Sequence, residues 1–458
     1  MFNFLELKNN KKIYLVFLLG MMIATSYAFF NLDKFDKIEE PNGHIMIRGD
    51  LGLIWHEAET FKEDFLLKKN IFGNGIEYTR TFLPPKIVAF YHILTNQDLY
   101  DDYDNRIVKT GGKKLYLFLQ ILFYYLSLLY LYKKLLPFYS DKNLAFYIVS
   151  YLALDLNIIQ WHGTLWTESV FLSLQILLIG LIIKKHKSNL FCLCLGLFLG
   201  VIFLQKTVAV LFILFIIFYI FFSEEKKNIL KVFNIILGFF IILSLLGYDN
   251  YKKTGIFYVM PMQTKNAHYV YLIPQIFEKN DQLISMSNLK EEEKEWKKIN
   301  NWSEDNFKIE YKFKKYQQKK ALEIMLNNKI TAIQIYLKKT TIHTIINPLQ
   351  TFYWHKYNQK KYSKTEFHLS EESHKYFIYK IFYSTLFYIV IFMGILEIIK
   401  NNDKFKFHLL ISFLILYLMF MLGWVGNSRY FMPSIIFLSI FFGHGFNFFI
   451  NLISKKNL

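Results

Sequence analysis

Residues 190–222 read LFCLCLGLFLGVIFLQKTVAVLFILFIIFYIFF. Gln205-Lys206-Thr207 forms the one polar step in this run. A bilayer crossing needs roughly 20 mostly apolar residues in a helix. The stretch therefore divides into two spanning candidates, 190–205 and 207–222, joined by a tight polar turn. The chain's two cysteines, Cys192 and Cys194, both lie here. In an apolar run they read as small buried hydrophobes and exclude a disulfide framework.

Eight further segments have the same character: 13–30, 115–132, 144–160, 166–183, 229–247, 381–399, 407–423 and 430–453. Ser26-Tyr27-Ala28 loosely fits a signal-peptide cleavage site after the first of these, but its flank favours an uncleaved anchor. The expected fold is an all-α polytopic membrane protein with about ten transmembrane helices. A composition of 53% hydrophobic and 19% aromatic residues excludes a disordered or ordinary soluble chain. The expected organisation is an N-terminal transmembrane module at 1–247 with a first outer loop at 31–114. An extracytoplasmic region with amphipathic helices follows at 248–380, and then a C-terminal transmembrane module at 381–458.

The charge pattern sets the expected orientation. The net charge is +18, carried by 50 Lys and four Arg. With a cytoplasmic N-terminus, seventeen lysines fall in cytoplasmic segments, among them Lys133, Lys184, Lys226, Lys400 and Lys455. The short outer turns hold only Lys206 and Arg429. This asymmetry places both termini inside and makes nucleic acid an unnecessary explanation of the basic balance. The four Arg (Arg48, Arg80, Arg106 and Arg429) all fall outside or at the outer boundary. Arg there suits bidentate phosphate or carboxylate contacts, whereas Lys already serves the inner face.

Three constellations carry chemistry. The first outer loop holds Arg48-Gly49-Asp50, His56-Glu57-Ala58-Glu59 and Arg80 to Pro85. A carboxylate at the membrane surface there serves as a general base or as a helix cap. A flexible turn at Gly49 is expected to present Asp50, with Glu57 and Glu59 on a solvated helix. The second constellation is Asp155, Asn157, Gln160, His162, Thr167 and Glu168, at the outer ends of two spans. Its members bind substrate or form a polar network between helices. The third is cationic: Lys206 and Arg429, which bind lipid headgroups generally or converge on one phosphate. In the larger outer region, 291–320 reads as one solvated helix. Residues 321–350, with Ile324, Ile330, Ile333, Ile335 and Ile342, read as core packing or as a helix lying on the membrane.

These stretches together resemble the GT-C glycosyltransferases, specifically the group of protein mannosyltransferases and lipid A aminoarabinose transferases (glycosyltransferase family 39-like). The resemblance runs from 48 to 433. It is carried by Asp50 with Ala58 and the Arg80-to-Pro85 segment, and by Leu165-Trp166-Thr167-Glu168-Ser169-Val170-Phe171. Gly196-x-x-x-Gly200 with Gln205-Lys206-Thr207, and Arg429-Tyr430-Phe431-Met432-Pro433, complete it. Departures are Leu51 where relatives carry Glu, Ile54 where an aromatic is usual, and Lys206 where an Arg is expected. Pro84-Pro85-Lys86-Ile87 also replaces a proline-rich P-G-Y-P.

The resemblance implies an enzyme of a bacterial inner membrane. It would pass a monosaccharide from a polyprenyl-phosphate donor to an extracytoplasmic acceptor of unknown kind, with inversion. Asp50 would be the base, and Arg48, Glu57, Arg80, His162, Glu168, Lys206, Arg429 and Tyr430 would bind substrate. Membrane lipid is the surrounding partner. No cofactor or metal-ligating set is expected, and a need for a divalent cation stays open. The competing class is a transporter or flippase of lipid-linked sugars, or a polysaccharide polymerase. A transporter should place its ionisable residues near the bilayer midplane.

Overall fold

The computed structural model describes residues 11–30, 37–39, 45–47, 49–68, 82–97, 111–163, 167–183, 188–223, 229–261, 267–303, 306–341, 371–401, 404–422 and 431–456. The helices are α1 (Lys11–Phe30), α2 (Gly49–Lys68), α3 (Leu83–Thr95), α4 (Gly111–Phe138), α5 (Lys142–Leu154), α6 (Leu156–His162), α7 (Glu168–Ile183) and α8 (Asn189–Gln205). A 3₁₀ turn, Thr207–Leu211, leads into α9 (Phe212–Ser223) and then α10 (Ile229–Thr254). Next come α11 (Ala267–Tyr271), α12 (Ile273–Lys279), α13 (Leu283–Ile299), α14 (Phe307–Asn327) and α15 (Lys329–Thr341). Last are α16 (Glu371–Asn401), α17 (Phe405–Leu422) and α18 (Met432–Lys456). Among the described residues the fold is all-α apart from one short antiparallel hairpin, β1 (Lys37–Glu39) with β2 (Ile45–Ile47), paired through Ile38 and Met46.

Each expected apolar segment is helical over its described residues. Among the described residues, five helices are long and apolar enough to cross a bilayer: α1, α4, α10, α16 and α18. The pair α5–α6 together passes the same test with a 50° bend. The apolar helices α7, α8, α17 and the 3₁₀–α9 unit are shorter. The protein is a multi-pass membrane protein. Helix α7 is apolar all round and buried on nearly every side, which marks the centre of the bundle. It packs on α4, while α18 packs on α16, α5 and α17.

Two close crossings depend on glycine. A methyl group at Gly196 of α8 would sit 2.1 Å from the Ile235 carbonyl of α10, and one at Gly238 would sit 2.3 Å from the Leu193 carbonyl. Residues without a side chain let the two backbones touch, which is how helices associate in lipid. Gly394 on α16 and Gly445 on α18 form a second pair of the same kind.

The span expected at 144–160 is bent at Asp155. The break would leave carbonyls at the end of α5 without partners in a water-free interior. Two successive tyrosines of α4 supply them: Tyr124 Oη donates to the Leu152 carbonyl and Tyr125 Oη to the Ala153 carbonyl, both at 2.8 Å. Asp155 then starts α6 by accepting from the Asn157 amide at 2.7 Å.

Region 291–320 is two helices, not one. Asn301 adopts a left-handed φ of 49°, and Asn306 caps α14 by accepting from the Ile309 amide at 3.3 Å. Asn tolerates this conformation and competes for backbone bonds, so it ends one helix and starts the next. The helices return antiparallel, with Lys320 Nζ 2.7 Å from Glu292 Oε2 and Trp296 stacked on Tyr316.

Candidate functional site

The polar residues gather at one end of the bundle, formed by the end of α6, the start of α7 and the end of α8. Glu168 opens α7, where the helix dipole favours a carboxylate. Lys206 follows the last residue of α8 and turns the chain into the 3₁₀ segment. These two residues, 38 positions apart, form a buried ion pair with Lys206 Nζ 2.8 Å from Glu168 Oε1. The ammonium also lies 5.6 Å from the centroid of the Phe171 ring, a favourable cation–π placement. Gln205 Nε2 donates to the Thr167 carbonyl at 3.0 Å, a second tie between the same two helix ends.

His162 joins this cluster. Its Nδ1 hydrogen-bonds Ser169 Oγ at 2.7 Å, its ring lies 4.4 Å from that of Tyr124, and its carbonyl accepts from Gln120 at 2.8 Å. His162 Nε2 is buried with no hydrogen-bond partner among the described residues. Sequence spacing singled out His162, Glu168 and Lys206, and the fold brings all three together. It adds Tyr124 and Gln120, which no motif marked, and Ser169, which lies in the Leu165-to-Phe171 stretch but was not singled out as a site residue. Polar side chains on apolar spans were the available signal.

The first loop docks on this end. The Phe82 amide donates to the Leu204 carbonyl at 3.2 Å, two residues before Lys206, and Phe82 is buried. Helix α2 packs on α3, and Glu59 Oε1 lies 2.5 Å from Nδ1 of the buried His92. Glu59 therefore holds the loop together and is not on a solvated face as its helix context suggested. Glu57, on the same helix, is half-buried. Asp50 lies in the first turn of α2 and not in a flexible turn; its side chain lies outside the described residues. Arg48, Arg80, Arg429 and Tyr430 lie outside the described residues. The start of α18, which follows Arg429 and Tyr430 in sequence, is tied to α7 by Gln175 Nε2 donating to the Pro433 carbonyl at 3.3 Å. Among the described residues, no group of three or more His, Cys, Asp or Glu side chains is placed to hold a metal ion.

The fold is a multi-pass helical bundle with a loop region docked on a buried charged end, and it is similar to that of a solved oligosaccharyltransferase. The crystal structure of the Archaeoglobus fulgidus oligosaccharyltransferase in its apo form aligns with TM-score 0.51 at 10% identity, over 98% of this chain and 52% of that one. The archaeal oligosaccharyltransferase AglB from Archaeoglobus fulgidus, in complex with an inhibitory peptide and a dolichol-phosphate, aligns with TM-score 0.48 at 9% identity, over 98% and 51%. ArnT from Cupriavidus metallidurans, bound to undecaprenyl phosphate, aligns with TM-score 0.33 at 10% identity, over 93% and 77%. This chain thus spans about half the length of the oligosaccharyltransferases it matches. No family profile and no curated protein matches the sequence.

Proposed function

We propose that the protein transfers a monosaccharide from a polyprenyl-phosphate donor to an acceptor on the extracytoplasmic face, with inversion. The observation that carries this reading is the buried Glu168–Lys206 pair with the first loop docked two residues away at Leu204. Burying two charges costs several kcal/mol each unless they are paired. An end of a membrane bundle that keeps such a pair, with a carboxylate-bearing loop docked beside it, is suited to charged chemistry at the bilayer surface. Its GT-C fold is the one the apo oligosaccharyltransferase also has.

The chemistry follows from what the reaction requires. In a single displacement the acceptor hydroxyl oxygen attacks the anomeric carbon opposite the phosphate. Asp50 accepts the hydroxyl proton as the new C–O bond forms. The bond from the anomeric carbon to the phosphate oxygen breaks, and its electron pair leaves with the polyprenyl phosphate. Negative charge grows on that phosphate, so fixed cations lower the barrier. Glu168 offsets the charge of Lys206 and fixes its position. Net positive charge toward the phosphate then falls to Arg80 and Arg429, each close in sequence to a residue anchored at this end. We assign the lysine-rich end to the cytoplasm.

One observation favours the competing transporter reading: α5–α6 is a broken span with a buried Asp155. Asp155, however, is occupied with the Asn157 amide and receives Tyr383 Oη at 3.5 Å, so it closes the break. The discriminating experiment incubates purified protein in sealed vesicles with polyprenyl-phosphate sugars extracted from cells lacking it. Release of polyprenyl phosphate with sugar on an acceptor supports the transferase. Movement of intact donor between leaflets without bond cleavage overturns it.

A further inference from the structure

Helices α14 and α15 carry an apolar row that the other described residues do not cover. The i→i+4 ladder runs through the step between them, with the Asn328 amide donating to the Ile324 carbonyl and the Ala332 amide to the Asn328 carbonyl. Leu322, Leu326, Ile330, Ile333 and Leu337 are each more than half exposed. At about 100° per residue, Ile330, Ile333 and Leu337 fall within an arc of about 60° on α15. The opposite face is spoken for: Ala332 and Ile335 pack with Leu272, Ile273 and Ile276 of the neighbouring helices.

Two observations identify what covers the row. First, it continues a surface that already faces lipid. Tyr336 packs on Phe420 near the end of α17, with ring centroids 5.1 Å apart. Phe413, Leu416 and Phe420 form an exposed row along α17. That end of α17 is the end holding Glu168 and Lys206, since Tyr417 Oη donates to the Val208 carbonyl at 2.7 Å. Second, the charge fits a headgroup layer. Lys329 and Lys338 lie on opposite sides of the apolar arc and are exposed, so their stems can follow the apolar surface while the ammonium groups reach phosphates. A protein partner would leave no reason for the row to run on into the lipid-facing row of α17.

We propose that the Leu322–Leu337 row lies in the membrane interface, with Lys329 and Lys338 held at anionic lipid headgroups, and that it anchors the 267–341 region on the bilayer beside the charged end. The anchor does not depend on the glycosyl-transfer reading and would hold for a transporter.

The test uses the full chain, one copy per nanodisc, with Cys192 and Cys194 replaced by Ser. Nitroxides are placed by Ile333→Cys and, as a solvated control on α13, Glu295→Cys. Collision rates with oxygen and with a neutral nickel chelate report depth. In discs containing phosphatidylglycerol, the label at 333 should favour oxygen and be protected from nickel, whereas the label at 295 shows the reverse. Lys329→Glu with Lys338→Glu should make the label at 333 shallower. A label at 333 as nickel-accessible as that at 295 overturns the proposal. Protection that appears only when discs hold two copies assigns the face to another copy and overturns it equally.

Discussion

Lys206 Nζ lies 2.8 Å from Glu168 Oε1, and the two side chains are only 9% and 0% exposed. A pair this deeply buried is more informative when broken than when counted. Removing one partner leaves a charge in a low-dielectric site, at a cost of about 3–5 kcal/mol. Glu168→Gln alone should therefore destabilise strongly, whereas Glu168→Gln with Lys206→Met should recover much of the loss. Unfolding in mixed micelles, read as a double-mutant cycle, measures the coupling. Additive losses would show that the two residues are not an interacting pair.

The proposed base gives a different signature. Asp50→Asn keeps the size and leaves the packing of α2 in place, so thermal stability should stay within about 0.5 kcal/mol of the parent. Sugar transfer should fall by roughly 10²–10⁴-fold, the usual contribution of a general base. Glu57→Gln should be milder. Initial rates with a lipid-linked donor check this, and near-normal transfer by Asp50→Asn would move the base to Glu57 or Glu168.

The break in the third span makes a structural prediction free of any reaction. Tyr124→Phe and Tyr125→Phe each remove the donor to a carbonyl at the end of α5. Each should cost about 1–3 kcal/mol, because the acceptor is left buried without its hydrogen bond. Tyr132→Phe on the same helix serves as the control for loss of a hydroxyl as such. Equal effects at all three positions would remove the special role of the break.

The first loop is held by Glu59 on His92. Glu59→Ala leaves the buried imidazole without its carboxylate, whereas Glu59→Gln retains a hydrogen-bonding side chain. Hydrogen exchange of α2 and α3 should rise markedly in the alanine variant and little in the glutamine variant. The α7–α8 core should exchange as before in both.

Orientation is checked by thiol labelling in intact cells. A cysteine at Ser303, in the turn between α13 and α14, should react with an impermeant reagent added outside. A cysteine at Ser188, before α8, should react only after permeabilisation. Labelling at 188 from outside would invert the assigned topology.

Much of the fold was legible in the residues. Apolar runs such as 190–205 and 207–222 must become helices in lipid, because only a helix satisfies every backbone group within one segment. The polar step Gln205-Lys206-Thr207 had to be a turn for the same reason. The motif residues Glu168, His162 and Lys206 could be picked out as polar groups at span ends.

What the sequence could not determine are relations between residues far apart in the chain. Nothing local says that Glu168 will meet Lys206, that Tyr124 and Tyr125 will repair a break thirty residues downstream, or that Glu59 will leave solvent for His92. Each results from helices packing side by side, where a buried polar group must find whatever partner the neighbouring helix presents. Helix ends at Asn301 and Asn328 were likewise invisible to hydrophobic periodicity, since a capping Asn acts through backbone geometry and not through burial. Apolar surface alone determined which segments enter the membrane; tertiary structure decided which charges inside it are tolerated, because only packing brings Lys206 its counter-charge and Asp155 its hydrogen-bond donors.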